Sequence, residues 1–148
     1  MDPLTHLLAT RLVLGRDRRA LITSVVPDAP FFLAYPPWLV SNGMLQDAVQ
    51  IGVWPDPPRW LLCAHRATHS VVIVFVTGAV MRSVMGQWPL RVLLAWLLHI
   101  LIDVPTHRRN PWGPRPLWPL SDATWDGWSW ADALSEWHVR RRRGRDRA

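Results

Sequence analysis

Six ionisable side chains lodged in or beside apolar segments constrain this chain more than any other feature: His6, Asp28, His65, His69, His99 and Asp103. Burying such groups is costly unless each meets a partner or a cation, so the segments that carry them must bring them together. Two pairs, His65 with His69 and His99 with Asp103, stand four residues apart, the spacing that stacks side chains on one helical face. Imidazole and carboxylate are also the donors that zinc and related divalent metals take. The expectation is an all-α bundle holding a metal site between its helices, embedded in or associated with a membrane.

At 148 residues, with 49% apolar and 19% charged, the chain suits a single domain over residues 1–138 followed by a basic tail over 139–148. All 17 basic residues are arginine, a bias that carries no functional weight by itself. The unbroken run Arg140–Arg143, with Arg145 and Arg147 after it, repels itself and reads as a disordered, solvated end. Its sharper readings are contact with anionic lipid headgroups or with nucleic acid; without interleaved aromatics, headgroups rank first and nucleic acid last. Positive charge beside membrane segments places the C-terminus in the cytoplasm. The single cysteine, Cys63, reads as a small apolar filler. The start MDPLTHLLAT lacks the basic n-region of a cleavable signal and carries a helix-start signature instead.

Along the chain, Asp2 can cap a helix with Pro3 at its first position and Gly15 at its close, so Leu4 to Leu14 reads as a short apolar helix with His6 in its first turn. A basic patch, Arg16 to Arg19, precedes the apolar stretch Ala20 to Val26, which Pro27 ends, leaving Asp28 in a constrained turn. Residues 31–60, rich in Pro and Trp, read as an irregular crossover with at most one short helix. Leu61 to Met85 reads as one helix and Trp88 to Val104 as another. Neither uninterrupted apolar run exceeds 11 residues, against roughly 20 for a clear span. Pro105 is expected to end or kink the second helix before His107, which makes His107 a weaker candidate. His138 reads as a surface histidine. The Trp-rich stretch Trp125 to Trp137 suits either an interfacial helix or a partner surface.

For one His–Asp pair alone, a simple hydrogen-bonded pair outranks a metal; the four further residues of the same chemistry shift the balance. His65 and His69 share a face, with Arg66 and Ser70 on an adjoining one. The Glu that follows the first His in metalloprotease helices is absent, which disfavours that class. Arg66 suits a phosphate or carboxylate beside the metal, its plainer role being an ordinary ion-pair partner.

Four motifs in order then resemble a known family: THLL with His6, VPDAP with Asp28, the HR…THS segment with His65, Arg66, His69 and Ser70, and HILIDVPTH followed by RPLWPLS. From residue 4 to about 121 the chain resembles the small bacterial inner-membrane proteins of the YdjM-like, LexA-binding family of predicted membrane-bound metal-dependent hydrolases. It departs from that family in having Pro27-Asp28-Ala29-Pro30 where Pro-Asp-Ile-Asp is usual, and one residue fewer between its HR…THS histidines. A more distant similarity is to zinc-dependent phospholipases C and nucleases. These resemblances imply His6, Asp28, His69, His99 and Asp103 as metal ligands, zinc before manganese, with His65 a further ligand or a proton carrier.

The implied chemistry is hydrolysis of a phosphoester or a lipid-linked substrate, with Asp28 orienting or deprotonating the attacking water and Arg66 and Ser70 meeting the substrate's anionic group. Trp118 and Pro119 would shape the site wall or the membrane interface. The rival expectation is a non-enzymatic membrane protein in which the same His/Asp set is a structural metal site or a polar network, and which binds a protein partner such as a regulator. An open coordination position favours the enzyme, and a closed four-ligand site favours the rival.

Overall fold

A computed structural model of the protein describes residues 3–51, 54–107 and 111–128. The capping Asp2, His138, the basic tail and the Trp-rich stretch beyond residue 128 lie outside the described residues. Among the described residues the chain is entirely helical. Seven α-helices follow in order: α1 (Pro3–Leu14), α2 (Arg18–Thr23), α3 (Tyr35–Ser41), α4 (Leu45–Ile51), α5 (Arg59–Thr68), α6 (Val71–Met85) and α7 (Leu90–Thr106). A 3-10 turn (Val26–Asp28) and a π-turn (Pro30–Ala34) link α2 to α3.

Local chemistry accounts for most of these boundaries. Gly15 ends α1 at φ 78°, where a side chain would be strained. Asp17 caps α2 by accepting from the Ala20 amide at 2.9 Å. Prolines in the first turn of α3 give up only amides that have no helical partner there. The crossover thus holds two short helices, α3 and α4, rather than at most one.

Leu61 to Met85 is not one helix. It breaks at His69 and Ser70, and α5 and α6 meet at a bend of 68°. No proline or glycine marks the break. Ser70 is extended there (φ −109°, ψ 124°), and its hydroxyl accepts from the Ile73 amide to cap α6. Thr68 donates its hydroxyl to the carbonyls of His65 and Pro27. Such side chains offer the backbone an alternative to the helical ladder. The expectation at Pro105 holds: α7 runs one residue past the proline and ends at Thr106, before an extended His107. So near the C-terminus the proline removes a single ladder bond, and the last turn holds.

α7 is the central element, with α1, α2 and α6 packed against it, while α5 packs on the two turns that carry Asp28 and Phe31. Two small apolar clusters fill the interior. Tyr35, Leu39 and Leu61 join α3 to α5, and Val74, Leu93 and Ile100 join α6 to α7. Residues 111–128 return as a strap over the α5–α6 junction. The Pro116 carbonyl accepts from the Val71 amide, the Trp118 carbonyl from the Ser70 hydroxyl, and the amides of Gly127 and Trp128 reach the carbonyls of His107 and Pro105. At Gly127 a Cβ would lie 2.4 Å from the Pro105 oxygen, so only glycine permits that approach.

No single helix among the described residues is long and apolar enough to cross a membrane; the bent α5–α6 pair passes that test together by length and composition.

Candidate metal centre

Four elements each deliver one part of a buried polar cluster. His6 comes from the first turns of α1, Asp28 from the 3-10 turn, His69 from the residue that closes α5, and His99 with Asp103 from one face of α7. All five are buried. One donor atom from each of Asp28, His69, His99 and Asp103 lies within 4.8 Å of the others, close enough to bind a metal ion.

Asp103 is the hub. Its two oxygens lie 3.1 Å from His6 Nε2, 3.1 Å from His69 Nε2 and 3.2 Å from His99 Nε2. Asp28 faces the same three imidazoles from the other side, at 3.9, 3.5 and 3.7 Å. The rings of His6 and His99 stack with centroids 3.8 Å apart.

The outward nitrogens of two histidines decide what the inward ones offer. His69 Nδ1 lies 2.9 Å from the His65 carbonyl, and His99 Nδ1 lies 2.7 Å from the Ser24 carbonyl. A carbonyl can only accept, so both Nδ1 atoms must donate, and in neutral rings both Nε2 atoms turn lone pairs inward. Those two nitrogens are 3.1 Å apart. Two lone pairs at that distance, facing two carboxylates, require a positive charge between them. Histidines that ligate metals are typically oriented by an outer hydrogen bond of this kind. His6 Nε2 and Asp28 Oδ2 are buried with no hydrogen bond of good geometry, further donors that a cation would satisfy. The residues present therefore fit a divalent metal.

The electrostatics tell the same story for the protein without a cation. Burial pulls the His69 imidazole down, but hydrogen bonds and charge from Asp103 and Asp28 outweigh it and raise its pKa to about 9. Burial pushes the Asp103 carboxyl up, yet the His6, His69 and His99 imidazoles set against it hold it far below the usual carboxylate range. At His99 burial prevails over Asp103 and lowers the pKa. A proton on His69 is the positive charge the cluster would otherwise take from a metal.

His65 stands beside this group and not in it. Its Nε2 donates to the Trp112 carbonyl at 2.8 Å, and its Nδ1 is buried without a hydrogen-bond partner. Burial, then the neighbouring His69, holds its pKa well below the ordinary histidine value. With Asp28, Phe31, Phe32, His107 and Trp112 it lines a vestibule of about 130 Å³ that opens on the cluster. A larger cavity of about 510 Å³ adjoins it, sharing Phe31 and Trp112 and walled further by Tyr35, Trp54 and prolines.

Of the eight site residues expected from sequence, the fold gathers His6, Asp28, His69, His99 and Asp103 in one cluster and sets His65 at its entrance. It does not bring Arg66 and Ser70 into that group. Arg66 is half-buried in the last turn of α5, with its Nε unpaired. Ser70 is fully buried, and its hydroxyl is engaged by the Trp118 carbonyl and the Ile73 amide. Trp118 supplies that carbonyl through the strap.

Two residues at the site carried little or no weight in the sequence. His107 Nδ1 lies 3.5 Å from Asp103 Oδ1, and the ring lines the vestibule. The four-residue step from Asp103 was the available signal, discounted on account of Pro105. Trp112 fixes His65 through its carbonyl and packs edge-on against that ring at 5.2 Å; no local pattern announces a contact 47 residues away. Comparison of the chain with protein-family models, curated proteins and solved structures finds no match to any of them.

Proposed function

We propose that the protein is a membrane-associated, metal-dependent hydrolase that cleaves a phosphoester or a lipid-linked substrate, at the bacterial inner membrane with a cytoplasmic C-terminus. The observation that carries the reading is the pair of inward Nε2 atoms 3.1 Å apart, each ring fixed by a backbone carbonyl and faced by two carboxylates. His6, Asp28, His69, His99 and Asp103 would hold the cation, zinc before manganese, because three of the five donors are imidazoles. When bound, such a cation supplies Lewis-acid chemistry, lowering the pKa of a water and offsetting charge on a phosphoryl or acyl oxygen.

The protein's own side chains do the rest. The vestibule gives access to the cluster beside Asp28, which favours an open site over a sealed structural one. Asp28 is the one cluster residue that lines the vestibule, so its carboxylate would orient a water arriving there. His65 donates Nε2–H to Trp112, so its buried Nδ1 keeps a lone pair that would accept a proton. Phe31, Phe32 and Trp112 line the opening with apolar rings.

The test uses purified full-length chain loaded with zinc or manganese and assayed on bis-(p-nitrophenyl) phosphate and on phospholipid vesicles. Metal-dependent turnover is expected, with His65→Gln retaining the metal and losing about 10²- to 10⁴-fold in kcat. Metal-loaded protein that hydrolyses neither class of substrate would turn the assignment toward the partner-binding alternative.

A further inference from the structure

α7 presents two opposite faces. At 3.6 residues per turn, His99 and Asp103 fall on one side and Leu94, Leu98 and Leu101 on the other. The second side is the floor of a groove of about 530 Å³ whose walls come from the end of α1 at Leu14, the start of α6 and Pro116 of the strap. From Leu94 to Val104 the groove follows α7 for about 15 Å at 1.5 Å per residue. Its lining is wholly apolar side chains, and Leu94 and Leu101 within it are exposed.

One end of the groove is strongly cationic. Leu14 leads directly into Arg16, Arg18 and Arg19, all exposed, and Arg11 is exposed in the last turn of α1. Arg91, at the start of α7, donates to the Leu14 carbonyl at 3.2 Å and leaves most of its guanidinium in the open. The one acidic group among them, Asp17, caps α2 and lies 3.9 Å from Arg91. Five arginines against one aspartate at the mouth of a leucine-lined groove match an amphiphile with an anionic head and an apolar tail. The groove offers no hydrogen-bonding pattern by which it would read a peptide.

We propose that the groove between α1 and α7 seats one acyl chain of an anionic phospholipid, whose phosphate is held by the arginines around Leu14. Guanidinium forks pair with phosphate oxygens in bidentate fashion, and leucines along a helix match the width of a single chain. The seat lies on the side of α7 away from the His/Asp cluster, so it is a fixed lipid contact that orients the molecule on the bilayer, separate from whatever is hydrolysed. It makes no use of the metal centre, and its test does not read hydrolysis.

The experiment is native mass spectrometry of the full chain released from detergent after incubation with equal amounts of dioleoyl phosphatidylglycerol and dioleoyl phosphatidylcholine. One retained phosphatidylglycerol per chain is expected, in at least fivefold excess over phosphatidylcholine. Leu94→Gln with Leu101→Gln, and separately Arg16→Gln with Arg91→Gln, should each cut retention at least fivefold while helical content by circular dichroism is unchanged. A variant with Arg140 to Arg143 changed to Gln should retain the lipid. Equal retention of the two lipids, loss only in the tail variant, undiminished retention in both groove variants, or lipid-free dimers would each overturn the proposal.

Discussion

The centre of this molecule and its flanks reverse the usual arrangement of a globular protein. His6, His69, Ser70 and Asp103 have no accessible surface, whereas Leu12 is 76% exposed and Val84 80%. Leu4, Leu8 and Leu12 form a stripe along α1, and Phe75, Val76, Val80 and Val84 form another along α6. Single exposed leucines are ordinary, but aligned stripes of them are not. The buried cluster of carboxylates and lone pairs could hold a cation, and the exposed stripes have no apolar partner among the described residues.

If that contrast is right, the largest effect comes from removing the hub. Asp103→Ala leaves three imidazoles buried without their shared carboxylate and should destabilise the fold by about 3–5 kcal/mol, read by chemical denaturation, while abolishing metal retention. An unchanged midpoint would mean that the cluster contributes nothing to the fold. Next is the cation itself. Chelation should lower stability, and zinc at 100 to 1,000 times its dissociation constant should restore about 3–4 kcal/mol, seen as a concentration-dependent rise in the thermal midpoint.

A smaller effect separates the centre from its surroundings. Ser70→Ala removes the α6 cap and should cost about 1 kcal/mol, with metal content unchanged by elemental analysis; loss of the metal would instead put Ser70 in the site. The flank should respond least. Leu101→Gln should shift stability in detergent by no more than about 0.5 kcal/mol, and a larger loss would show that this side of α7 is packed rather than exposed.

Much of the centre is legible in the sequence because its logic is local. Ionisable groups in apolar segments need partners, and the four-residue step from His99 to Asp103 already places both on one face of α7. Gly15 likewise announces the end of α1. What could not be read depends on distant backbone. The bend after α5 is set by Thr68 bonding the Pro27 carbonyl and by the strap reaching Ser70 and Val71 from residues 116 and 118. The junction is polar but carries no proline or glycine, so the pattern reads as one helix. Pro105 is a signal of the local kind, since the helix ends one residue beyond it and before His107. The position of His65 depends on Trp112, whose return to α5 follows from the path of the strap and from no spacing near either residue.

The measurement that tests the central claim most directly is elemental analysis of metal in detergent-purified full chain, compared with a His99→Ala, Asp103→Ala double variant whose helical content is checked by circular dichroism. Near-stoichiometric zinc or manganese is expected in the unmodified protein and none in the folded variant. No metal in either sample, even after reconstitution with added ions, would contradict that claim and make the cluster a proton-bridged polar network.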